Sequence, residues 1–212
     1  MSPLHFAVVD ARPEAHAATP TLLLRLRVTA AGDEPVHAVA LRCQVMIEPQ
    51  RRRYEREEKE LLTELFGEAP RWGDTLRPFL WTNVGTTLTG FAGSTEVDLA
   101  VPCTYDMEVA AAKYFHSLGG GEVPIVVLFS GTVFTRGTSG LGTLPIAWHE
   151  EAAFRLPVSV WRAVIDMYFP NSGWLRLDVD SLAALQRFRR ERALLSWDAT
   201  VAALLKEAGA AP

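Results

Sequence analysis

Five histidines and two cysteines are the side chains best suited to metal or nucleophilic chemistry, and their spacing argues against most of it. His5, His16, His37, His116 and His149 make no HExxH or H-x-H pattern, and His149-Glu150-Glu151 lacks a second ligand. No CxxC pair occurs, so no metal site and no cofactor is expected. Cys103, His116 and Asp106 could serve as nucleophile, base and orienter, but such a triad is recognised by geometry, not spacing. Cys103, following Val101-Pro102, reads first as a small buried hydrophobe. No GxSxG elbow is present, and no residue is assigned a catalytic role.

Glycine and carboxylate motifs fare no better. Gly137-Thr138-Ser139-Gly140-Leu141-Gly142 has neither the GK[ST] ending of a P-loop nor a dinucleotide fingerprint, so it reads as a hairpin loop. Gly119-Gly120-Gly121 reads as a tight connection needing positive φ. Asp178 and Asp180 suit the positive end of a helix without any catalytic role.

Arginine and tryptophan carry the stronger signal. Arg71-Trp72-Gly73-Asp74-Thr75-Leu76-Arg77-Pro78-Phe79-Leu80-Trp81 puts two tryptophans and two arginines in a turn-rich connection. Trp and Arg are enriched where proteins bind proteins, because each buries a large area and still hydrogen-bonds. Arg71, Trp72, Asp74, Arg77 and Trp81 are therefore candidate partner-binding residues. Arg51, Arg52 and Arg53 form a basic run, and Asn171 and Trp174 lie in an aromatic helix end; they complete the candidate set. The competing reading makes Trp72 and Trp81 plugs of a sheet edge, with Asp74 pairing Arg77. A further basic stretch, Arg187 to Arg192, is interrupted by Glu191 and reads as a solvated face.

The elements that must carry these residues divide into an earlier β-rich part and a later helical one. Leu22, Leu24, Leu26 and Val28 alternate with Arg25 and Arg27, and Val39, Leu41, Cys43, Val45 and Ile47 do likewise. Ala30 to Pro35 is turn-rich, so these two strands are expected to pair as a hairpin. Leu4 to Val9 is a candidate preceding strand. Tyr54 to Phe66 reads as an inserted helix with Glu55–Lys59 as an i,i+4 pair, stopped by Gly67 and Pro70. It would cross between sheets or cover a sheet edge. Strand patterns return at 79–89, 94–101, 123–134 and 148–156, with 125–129 apolar enough for burial on both faces or for cover by the later helices. Residues 105–115 alternate adequately, though the alanine triplet at 110–112 also permits helix. Helices are expected at 158–169, 181–195 and 200–208, with Ser196 or Asp198 capping the last. The fold class is α+β: an antiparallel β-sandwich-like core over 1–156 with a helix near 54–66, and a helical tail over 157–212 packed on it as one unit.

Composition bounds the function classes. In 212 residues, 21 basic against 25 acidic side chains give a net charge of −4, and 49% are hydrophobic. That excludes disorder as the main state and disfavours a nucleic-acid binder. Two cysteines do not make a disulfide scaffold. No apolar run nears the roughly 20 residues that span a bilayer, and the N-terminus lacks a signal-peptide pattern. A soluble cytoplasmic protein is expected; oligomeric state is not readable.

The stretches Ile47 to Tyr54, Arg71 to Trp81, Ser94 to Leu99, Leu128 to Phe134 and Tyr168 to Ser172 together resemble a bacterial family of unknown function encoded beside genes for actinobacterial-type [NiFe]-hydrogenases. The resemblance spans most of the chain. It brings no catalytic residues, but it implies an accessory role in assembling or maturing a hydrogenase, with hydrogenase subunits or maturation factors as partners. The expectation is a non-catalytic protein that binds a protein partner. Its rivals are a hydrolase-like enzyme using Cys103, His116 and His149, and a chaperone for unfolded chains.

Overall fold

Period-two alternation of apolar and polar residues builds two antiparallel sheets that bury their apolar faces against each other. The computed structural model describes residues 4–32, 34–104, 106, 109–137, 140–172 and 176–210. One sheet has the order β1 (Leu4–Pro13), β2 (Thr21–Ala30), β5 (Ser94–Pro102). The other runs β4 (Phe79–Phe91), β3 (Val36–Ile47), β6 (Glu122–Gly137), β7 (Gly140–Pro145), and β8 (Glu151–Pro157) also pairs with β6. Leu22, Leu24, Leu26 and Val28 of β2 face Val39, Leu41, Cys43 and Val45 of β3 through one core. Phe6 stacks on Phe129 across it, ring centroids 4.1 Å apart.

The α+β class and the sandwich core are therefore as the sequence implies, but several details differ. The two leading strands do not pair as a hairpin: β2 bonds β1 and β5, while β3 bonds β4 and β6. Alternation reveals which face of a strand is buried, and both strands bury one face whether they pair or oppose each other. The 125–129 run is not buried on both faces, since Val126 and Leu128 are half-exposed on the outer side. The 148–156 pattern is also two things. Residues 146–150 leave the sheet and β8 begins at Glu151, while β7 occupies part of the expected 137–142 loop. Thr138 and Ser139 of that loop lie outside the described residues.

The helix expected over 54–66 is split into α1 (Arg56–Leu61) and α2 (Thr63–Phe66), joined at the buried Leu62. Glu55 does not pair with Lys59; Glu55 and Glu58 form a reciprocal capping box, and the i,i+4 pair is Arg56–Glu60. Gly67, at φ 73°, stops the segment as expected. A further short helix, α3 (Trp72–Thr75), follows before β4. The insertion thus joins neighbouring strands of one sheet and does not cross between sheets. Residues Ala110–His116 form α4, so the alanine triplet decides for helix; Tyr105 and Met107 lie outside the described residues.

The chain divides into two compact units, Met1–Trp174 and Leu175–Pro212. In the first, α5 (Val158–Tyr168) lays Trp161 on Phe115, ring centroids 5.0 Å apart and nearly parallel. The second contains α6 (Val179–Glu191), capped by Asp178, and α7 (Trp197–Glu207), capped by Ser196. Arg189 lies over the Trp197 ring, and Arg192 pairs with Glu207.

Candidate partner-binding site

The run Arg51-Arg52-Arg53 follows β3 through a single 3-10 turn begun by Pro49, and its three side chains take three different positions. Arg51 is exposed and reaches Glu48 at 3.0 Å. Arg52 turns inward, with only 10% of its side chain exposed. Its Nη2 donates to Glu58 Oε1 at 2.6 Å and to the Gly120 carbonyl at 2.8 Å, and its Nη1 donates to the Glu122 carbonyl at 2.9 Å. The Arg52 Nε is buried without a hydrogen-bond partner. Arg53 is exposed and makes no ion pair among the described residues.

Arg52 fixes the backbone on which the others stand. Glu58 also accepts from the Gly119 amide at 2.8 Å, so one buried ion pair ties α1 to the glycine loop. Gly121 alone of the three glycines has positive φ, 75°. Arg162 of α5 donates to the carbonyls of Leu118 and Gly119, closing the loop from the other side. Pairing of β6 with β8 sets Arg155 opposite Pro124, near the end of β6 that Arg52 grips.

Two adjoining concavities result. One, about 400 Å³, is lined by Arg51, Arg52, Arg53, Gly121, Glu122 and Arg155. Four arginines and one glutamate line it, Arg51 being paired with Glu48 and Arg52 with Glu58, on a chain whose net charge is −4. The second, about 570 Å³, shares Arg52, Arg53 and Gly121 and adds Glu55, Glu57, Glu58, His116 and Arg162, so its charges balance. His116 packs edge-on to Trp161, and burial followed by the nearby Arg162 lowers its pKa.

The tryptophan segment sits differently. Trp72 is buried; its Nε1 donates to the Gly67 carbonyl at 2.8 Å, and its ring packs against Tyr54 and Phe66. Trp81 is half-buried against Phe115. Arg71, Asp74 and Arg77 are exposed, and Arg77 Nε donates to the Asp74 backbone carbonyl, not to its carboxylate. Asn171 is exposed in the turn after α5, at φ 50°. Trp174 lies outside the described residues. The structure thus brings Arg51, Arg52 and Arg53 together with Arg155, which no spacing in the sequence indicates, because strand pairing supplies the proximity.

Cys103, His116 and His149 occupy three separate places. Cys103 lines an apolar cavity of about 420 Å³ with Trp81, Pro102 and Val109, and burial pushes its thiol up to about 12. A thiol held there is protonated and a poor nucleophile at neutral pH. His116 lines the pocket beside Arg162, and His149 lies near Glu150 next to the exposed Trp148. Among the described residues, no group of three or more His, Cys, Asp or Glu could hold a metal ion. No helix of the described residues is long and apolar enough to cross a membrane.

A family described as "Family of unknown function (DUF6084)" matches residues 1–212, the whole chain. No curated protein matches. Among solved structures, the sporulation control protein Spo0M from Bacillus subtilis is similar over 74% of this chain and 49% of its own, at 9% identity and TM-score 0.31. A β-glucosidase from Kluyveromyces marxianus matches 73% of this chain and 15% of its own, at 9% identity and TM-score 0.28. A putative ApaA protein from Bordetella pertussis matches 74% and 95%, at 16% identity and TM-score 0.25. The chain thus spans less than half the length of the first two structures. At these TM-scores the likenesses carry no argument.

Proposed function

We propose that this chain, which belongs to the DUF6084 family of unknown function, is a non-catalytic accessory protein that binds an acidic segment of a protein partner. The observation that carries the reading is the arginine groove: Arg51, Arg53 and Arg155 around a pinned Arg52, with Glu122 as the one carboxylate among its described lining residues. Guanidinium groups bind carboxylates in paired hydrogen bonds, and positive potential in a concavity raises the encounter rate with anionic partners. Arg71, Asp74 and Arg77 are exposed polar groups of the candidate set and extend the contact surface, as does Asn171. Buried Trp72 contributes by holding that segment in place.

The resemblance to the hydrogenase-linked family names the partner class: a subunit or maturation factor of a [NiFe]-hydrogenase. The chain as bait in its native host tests both halves of the proposal. Wild-type protein is expected to co-purify with hydrogenase components, and the triple reversal Arg51→Glu, Arg53→Glu, Arg155→Glu is expected to lose them. Equal recovery by both baits would remove the groove from the account. Recovery of no hydrogenase component by the wild type would remove the partner class.

A further inference from the structure

Sheet edges are templates for pairing, and β-proteins blunt them with charge, proline, bulges or brevity. Four of the five strands at the rims of these sheets are blunted in those ways. Strand β1 has a register break between Val8 and Asp10 and ends in Asp10, Arg12 and Pro13. Strand β5 carries Glu96, Asp98 and Pro102. Strand β7 is six residues long and ends at Pro145. Strand β8 carries Glu151 and Arg155 and ends at Pro157.

Strand β4 has none of this protection along its regular length. It is 13 residues long, Phe-Leu-Trp-Thr-Asn-Val-Gly-Thr-Thr-Leu-Thr-Gly-Phe, with no charged residue and no proline. Its one irregularity, at Trp81, lies near its start, where the register with β3 shifts between Val45 and Met46. From Thr82 to Thr89 the pairing with β3 is unbroken. Among the described residues, no backbone hydrogen bond joins Phe79–Phe91 to any element other than β3. The other rim of the strand therefore carries a row of amide and carbonyl groups that bond no other described element.

We propose that this rim pairs with β4 of a second copy of the chain, antiparallel about a two-fold axis, joining two sheets into one. The lack of charge identifies the occupant. When an antiparallel strand pairs with its own copy, residues equally far from the axis face each other, and a charge near the centre meets its own sign. A strand without charges escapes that repulsion, whereas a charged foreign strand would find nothing here to pair with. Four threonines, Thr82, Thr86, Thr87 and Thr89, favour the extended backbone, and threonines facing each other hydrogen-bond across strands. The eight residues Thr82 to Thr89 offer on the order of eight new main-chain hydrogen bonds. Residue parity is conserved across such a two-fold, so Asn83, Gly85 and Thr87 stay on the solvent face and Leu88 stays inward.

Asn83 and Thr87 flank the middle of the strand and are exposed, so charges there leave the core untouched. Sedimentation or light scattering of the full chain over a concentration series is expected to give twice the 23.4 kDa chain mass for the wild type. The Asn83→Lys, Thr87→Lys variant alone, and the Asn83→Glu, Thr87→Glu variant alone, are expected at the single mass. An equimolar mixture of the two is expected to regain the double mass, which also shows that both fold. Wild-type protein at the single mass throughout would overturn the proposal. So would dimers that survive in either variant, or a mixture that stays monomeric.

Discussion

At the residue scale, the Arg52–Glu58 pair governs the candidate site, with 10% and 6% of the two side chains exposed. Removing one partner strands the other charge in a low-dielectric environment. Arg52→Met is expected to lower unfolding free energy by about 3–5 kcal/mol. Adding Glu58→Met should recover much of that loss, because a buried ion pair is often matched by apolar side chains. Urea unfolding of the two single variants and the double variant measures this; additive losses would contradict the coupling. A second position is set by backbone alone. Gly131 has φ 139°, and a Cβ there would lie 2.0 Å from the Ala40 carbonyl oxygen. Gly131→Ala is expected to cost about 3 kcal/mol or more, read as a fall in the unfolding midpoint. An unchanged midpoint would refute the close approach. Neither residue's role is legible in the sequence. Arg52 is one of three consecutive arginines, and which of them turns inward depends on where Glu58 and the glycine loop come to lie. Trp72 is ambiguous for a similar reason, since its burial depends on how Tyr54 and Phe66 come to pack against it.

At the element scale, alternation finds β2, β3 and β5 because each buries one face, and helical period with capping residues finds α5, α6 and α7. Strand partners are not encoded that way. Two strands that face each other across a core show the same alternation as two that pair side by side, and hence the expected hairpin is absent. Segment β7 escapes because its glycines and exposed leucines carry no buried face. The outer face of the β1–β2–β5 sheet supplies a test of such cross-strand design. Asp98 of β5 accepts from Arg25 Nε at 3.0 Å and from Arg12 at 2.6 Å. Its hydrogen bonds to Arg25, then the Arg12 charge, hold its carboxyl below the ordinary carboxylate range. A depressed folded-state pKa means the unfolded chain binds the proton more readily. The contribution is therefore complete above the ordinary carboxylate value and is lost as pH falls through the lower folded value. Asp98→Asn is expected to cost about 1 kcal/mol or less at neutral pH, since solvent still reaches about 40% of each arginine side chain and screens the pair. It should also flatten that part of the acid limb in a stability–pH series. An acid limb identical to wild type would contradict the assignment.

At the scale of the whole molecule, charge is distributed unevenly enough to give an acidic chain a basic groove. The sequence shows the run at 51–53 and the net charge of −4. It does not show Arg155, which arrives through the β6–β8 ladder, nor that Arg52 is spent on structure. Exposed apolar residues are also uneven, with Leu141, Leu144 and Trp148 on and just after β7. The proposed role of Arg51, Arg53 and Arg155 is to hold an acidic segment of a protein partner. The most direct measurement is calorimetric titration of that co-purified partner into the wild-type chain and into the triple Glu variant, repeated as salt rises to about 0.5 M. Saturable binding by the wild type that weakens steadily with salt, and no binding by the variant, is the expected result. Binding of equal strength in both proteins, insensitive to salt, would contradict it.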